Sequence, residues 1–110
     1  PDHTPATMFH SEGEVATPEA SRFLQRLCFH FSRKINVSYD EHQGQAHFPT
    51  GLCHMKASPD TLHFSCSAAS EEALQRVQLT LEHHVQLFSR KNRLVVRWAP
   101  QPTPPVMQAK

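Results

Sequence analysis

Apolar residues recur at helical spacing from Ala20 to Phe31, where Ala20, Phe23, Leu24, Leu27 and Phe31 form one face. Ahead of them, Thr17 suits a cap, Pro18 the first helical position, and Glu19 the positive end of the helix. Arg22, Gln25, Arg26 and Arg33 fall on the opposite side. Phe29 falls there too, an aromatic that calls for cover from the N-terminal arm or a partner. A second helix starts at Ser70, with Glu71 and Glu72 in its first turn and Leu74, Val77, Leu81, Val85 and Phe88 on its apolar face.

Between the helices the period changes to two. Ile35, Val37 and Tyr39 alternate with Asn36, Ser38 and Asp40, and Gln43-Gly44 reads as a hairpin turn. Ala46 and Phe48 continue the alternation to a turn at Pro49-Thr50-Gly51. Cys53, Met55 and Ala57 form the next inward set. A turn at Ser58-Pro59-Asp60 leads to Leu62, Phe64 and Cys66. Leu94, Val96 and Trp98 alternate in a last strand.

The predicted order is β-α-β-β-β-β-α-β. It gives an α+β two-layer sandwich, an antiparallel sheet of five or six strands with both helices on one face. The expected single domain spans residues 11–98. Residues 1–10 read as a loose arm, and residues 99–110 as a disordered, proline-rich tail that can neither join a sheet ladder nor continue a helix.

The tetrapeptide Phe-Ser-Arg-Lys occurs at 31–34 and again at 88–91. Both copies fall at the last turn of a helix. Each phenylalanine closes an apolar stripe, and the cations sit where carbonyl dipoles favour them. Shared local physics accounts for the repeat without a duplication or a common binding role.

The chain has 110 residues, 38% apolar and 19% charged, enough for one modest core. The net charge of +1 creates no strong field, and no basic stripe or open-face aromatic row points to nucleic acid. No apolar run reaches the length of a membrane span. Residues 1–9 lack the regions of a secretion signal, and three cysteines form no Cys-x-x-Cys pair, so a cytoplasmic protein with reduced thiols is expected. The turn at Pro59-Asp60 sets Cys53 opposite Cys66, which is read as packing of two buried thiols before a redox pair or a metal site. Cys28 is expected to be buried as well.

Nine histidines are many for this length, and their joint protonation below about pH 6 would raise the charge steeply. His30 and His84 stand apart from the others. Each lies at the edge of its helix's apolar stripe and near its C-terminus, so helices lying side by side on a sheet bring the two imidazoles together. Such a pair suits a metal site or acid–base work. The plainer alternative is that each ring hydrogen-bonds a backbone carbonyl at the edge of the core. His47, His54 and His63 lie in the polar phase of three strands, where a weak surface metal patch needs a register that the sequence leaves open. Phosphate loops, dinucleotide fingerprints, nucleophile elbows and His-Glu-x-x-His are absent, and acidic residues are sparse in the core segments.

The stretches EVATPEASRFLQRLCFHFSRK, GQAHFPTGLCHMKA and LEHHVQLFSRK with the LVVRW ending resemble bacterial domain-of-unknown-function family 2218. The shared pattern is carried by Ala20 and Arg22, His30-Phe31, Gly44, Gly51-Leu52-Cys53, His84 with Phe88, and Trp98. The resemblance groups Arg22 with His30 and His84 as ligand-binding residues, and implies a small cytoplasmic protein. Some relatives resemble domains joined to siderophore-interacting proteins, a loose connection to iron. A sugar-acid aldolase label on others does not suit a chain too short for that enzyme's barrel.

Three functions follow as expectations. The first is a non-enzymatic binding module for a transition-metal ion or small iron-related ligand at His30 and His84. The second is a structural or interaction domain, a possible homodimer, that associates through its sheet face. The third is a small enzyme with a histidine acid–base pair and Arg22 as anion clamp.

Overall fold

The computed structural model describes residues 8–99. Within them the order is β1 (Phe9–Ala16), α1 (Ala20–Phe31), β2 (Asn36–Tyr39), β3 (Gln43–Phe48), β4 (Gly51–Ala57), β5 (Thr61–Ala68), α2 (Glu71–Leu87) and β6 (Arg97–Trp98). The strands form one antiparallel sheet in the order β2-β3-β4-β5-β1-β6. The expected α+β two-layer sandwich is present with six strands. Helix α1 carries the chain from β1 to the far edge at β2, and α2 carries it from β5 past β1 to β6. Both pack on the face that holds the core.

That face is built from cross-strand rows. One row runs Val37, Ala46, Cys53, Cys66, Ser11, and the next runs Tyr39, Gly44, Met55, Phe64, Gly13, Trp98. Onto them α1 presses Ala20, Leu24, Leu27, Cys28 and Phe31, and α2 presses Leu74, Val77, Leu81 and Val85, all buried. Two contacts set how close the layers come. A Cβ on Gly44 would lie 2.7 Å from the Cys28 sulfur, so α1 rests where β3 has no side chain. A Cβ on Gly13 would lie 2.5 Å from a ring carbon of Trp98, whose indole covers that point of β1. The Trp98 Nε1–H donates to a Glu82 carboxylate oxygen at 2.5 Å and ties β6 to α2.

Several boundaries differ from the sequence reading. β1 begins at Phe9, paired with Ala68, two residues before the expected domain start. Residues 1–7 of the expected arm and 100–110 of the expected tail lie outside the described residues. Helix α1 begins at Ala20 and not at Pro18; the Thr17 hydroxyl accepts from the Glu19 amide at 3.1 Å in the turn before it. Gly44 stands inside β3 and not in a turn, because the Asp40 carboxylate accepts from the His42 and Gln43 amides and makes the turn itself. The final strand is regular only at Arg97–Trp98, although Val96 is buried as its alternation implied. Ser70 caps α2 as expected, accepting from the Ala73 amide at 3.0 Å.

The repeated tetrapeptide marks the end of each helix. The Ser32 hydroxyl donates to the Phe29 carbonyl at 2.7 Å, and that of Ser89 to the Val85 carbonyl at 2.6 Å. In each copy the serine satisfies a last-turn carbonyl that has no helical partner. Ser89 also accepts from the Leu94 amide and so starts the approach to β6.

All three cysteines are buried and free, with Cys53 opposite Cys66 as the turn at Pro59 implied. Burial pushes the Cys28 thiol up to about 12 and raises that of Cys53 as well. The native protein should therefore resist Ellman's reagent and release three thiols on denaturation; rapid labelling before unfolding would contradict this packing. Gly13→Ala should lower stability by about 1–3 kcal/mol in urea unfolding, because Trp98 must leave its seat. The chain's single tryptophan makes fluorescence report the same displacement, and an unchanged midpoint and spectrum would count against the seat.

Candidate functional site

Near the C-terminal ends of α1 and α2 the two singled-out histidines meet. The ring centroids of His30 and His84 are 4.8 Å apart, tilted by 49°. Both are half-buried, and aromatic rings enclose them. Phe31 stands edge-on to His30 at 5.8 Å and to His84 at 4.8 Å, and Phe88 lies 5.4 Å from His30. Phe48 of β3 supports Phe31 from below at 5.1 Å. The helical wheel placed each histidine at the edge of its stripe, and the sheet holds the stripes side by side.

His84 is fixed in one tautomer. Its Nδ1 lies 2.8 Å from the Thr80 carbonyl oxygen, which can only accept, so Nδ1 carries the proton. The carbonyl contact expected of a plain core-edge histidine is thus present, and it leaves the Nε2 lone pair available in the neutral ring. An outer hydrogen bond of this kind is what orients a metal-binding imidazole. His30 titrates below the ordinary histidine range, chiefly because burial disfavours its charged form, then because of His84, Lys34 and Arg33.

Arg22 does not join the pair. It precedes His30 by eight residues on α1, about 12 Å along the helix and about 80° round it. Its guanidinium is exposed and lies 3.7 Å from the Glu19 carboxylate. It lines a separate groove of about 630 Å³ between the start of α1 and the end of α2. Arg26 is the residue that the sequence reading passed over. Its guanidinium lies 4.5 Å above the Phe88 ring, so Phe88 has His30 and Arg26 as neighbours and also lines the groove. No periodicity marks such a stack; only the packing of α2 against α1 creates it.

The three strand histidines are dispersed: His47 pairs with Leu52, His54 with Gln45 and Ser65, and His63 with Lys56 and Glu14, three different rows of the open sheet face. His83, on the exposed side of α2, stands edge-on to His84 with ring centroids 5.2 Å apart. Among the described residues no group of three His, Cys, Asp or Glu side chains is placed to hold a metal ion. A metal at the candidate site would thus have two protein ligands, His30 and His84, with its other positions left to solvent or to a bound molecule.

The lowered His30 pKa fixes the sign of a pH effect. Its folded value lies below the unfolded one of about 6.5, so folding excludes a proton. This histidine costs no stability above that pH, and costs progressively more as pH falls toward the folded value, where the loss levels off. NMR titration should place the His30 midpoint under 6.5. His84→Gln should raise it without restoring the ordinary value, because burial is the larger cause. An unchanged midpoint in that variant would separate the two rings electrostatically.

Among the described residues no helix is long and apolar enough to cross a membrane. No curated protein matches the chain in sequence. The NMR structure of PA4090 from Pseudomonas aeruginosa is similar to it, with a TM-score of 0.72 and 27% identity over 86% of this chain and 99% of that one. The model of DUF2218, described as an uncharacterized protein conserved in bacteria, matches residues 12–99, nearly the whole of the described sandwich, and the chain belongs to that family.

Proposed function

We propose that this protein is a non-enzymatic binding module that takes up a transition-metal ion, or a small ligand bearing one such as an iron complex, at His30 and His84. The observation that carries this reading is the contact of two imidazoles from different helices at 4.8 Å, with the His84 tautomer set by Thr80. Borderline ions accept imidazole nitrogen readily. Two protein ligands suit a site that exchanges its cargo better than a closed structural site, which has four. His30 favours its neutral, ligating form at physiological pH. Three buried free thiols accord with a reducing, cytoplasmic setting.

The enzymatic alternative wants an anion clamp beside the acid–base pair, and Arg22 stands in the separate groove. Self-association through the sheet face has few apolar groups to use, since the exposed rows there carry Gln43, Gln45, Lys56, His63 and Glu14. The exposed apolar side chains Phe29, Leu79 and Leu87 lie on the helices.

Calorimetric titration of the full chain with Zn²⁺, Ni²⁺ and Fe²⁺ tests the reading. One-to-one binding is expected for at least one ion, weakened about tenfold or more in His30→Ala and in His84→Ala. Binding that survives both substitutions, or no saturable binding at all, would refute it.

A further inference from the structure

The groove beside the histidine pair has a charge pattern that the two-histidine reading leaves unused. Four cations line it, Arg22 and Arg26 from α1 and Arg90 and Lys91 from the segment after α2, against the single carboxylate of Glu19. Four positive groups against one negative leave +3, whereas the whole chain carries +1. Positive charge is therefore concentrated here. Between the cations the walls are apolar, with Phe23, Phe88 and Leu94 half-buried. A volume of about 630 Å³ suits a small organic molecule.

The cations are available, and Arg26 is also positioned. Arg26 is stacked on Phe88, which orders its guanidinium while leaving its N–H donors unused. Among the described residues, Arg26, Arg90 and Lys91 have no carboxylate partner. Arg22 has Glu19 at 3.7 Å, but both side chains are largely exposed, and such a pair yields easily to a better anion. The groove also opens on the start of α1, where Thr17, Pro18 and Glu19 line it and the first helical amides have no partner within the helix. The carbonyl end of α2 lies at the same groove, and the Ser89 hydroxyl occupies the Val85 carbonyl there.

We infer that this groove is a second binding site, for a small organic anion: a carboxylate or phosphate group on an apolar body. The anionic group lies among Arg22, Arg26, Arg90 and Lys91, where guanidinium forks match its oxygens. The apolar body lies against Phe23, Phe88 and Leu94. This assignment does not depend on metal binding at His30 and His84, although Phe88 borders both places.

Titration of the full chain with phenyl phosphate, followed by amide chemical shifts, tests it. Saturable shifts are expected at Ala20–Arg22 and at Arg90–Asn92. Benzyl alcohol, which keeps the ring and lacks the charge, should bind about tenfold more weakly or not at all, and inorganic phosphate should be weaker than phenyl phosphate. Benzoate in a parallel titration tells whether carboxylate or phosphate is preferred. The double variant Arg26→Gln/Arg90→Gln should weaken phenyl phosphate about tenfold or more, while the urea midpoint falls only slightly, because both side chains are exposed and only the Arg26–Phe88 stack is lost. His30→Ala should leave phenyl phosphate affinity within about twofold, which separates this site from the metal reading. Shifts located elsewhere, equal binding of benzyl alcohol, or affinity unaffected by the double variant would overturn the assignment.

Discussion

The closeness of the helical layer to the sheet governs the rest of this molecule. It depends on positions where a strand offers no side chain. Cys28 of α1 sits over Gly44 at a distance that a methyl group would block, and the Trp98 indole sits over Gly13 in the same way. The neighbouring row of the sheet runs from Val37 through the small side chains of Ala46, Cys53, Cys66 and Ser11, with Met55 and Phe64 filling the volume beside it. Interiors pack at near-crystalline density, so a large side chain in one layer needs a small one opposite.

From this seating the functional geometry follows. The helices lie close enough for His30 and His84 to touch, and Phe31 links that pair to β3 through Phe48. The Trp98–Glu82 hydrogen bond brings the chain after α2 back onto the sheet, and Ser89 starts that return by joining the Val85 carbonyl to the Leu94 amide. The same return path places Arg90 and Lys91 beside Arg22 and Arg26. Phe88 lies at the junction, with His30 as one neighbour and Arg26 stacked on it as another. The two proposed sites, one nitrogen-donating and one cationic, thus share a single aromatic partition.

Much of the fold was legible because burial on one side of an element leaves a period in the chain. Leu24 and Leu27 repeat with the helix, and Met55 and Phe64 alternate with the strand. Capping was legible where a side chain has a local partner, as at Ser70, and less so at Thr17, where the turn before α1 takes the hydroxyl. The convergence of His30 and His84 was legible for the same reason as the core, since both rings sit at the edges of stripes that must face one sheet. Gly44 reads as a turn residue in the sequence and lies inside β3, because glycine serves turns and close approaches alike, and only the sulfur above it tells them apart.

By itself, then, the order of residues determined the elements, their sequence, the face each one buries, the opposition of Cys53 to Cys66, and the two histidines able to meet. These are consequences of period and of short turns, which act over a few residues. The tertiary structure alone decided the strand order with β1 between β5 and β6, the stacking of Arg26 on Phe88, and the gathering of four cations around one groove. Those features join segments some sixty residues apart in the chain, and no local pattern carries the distance between them.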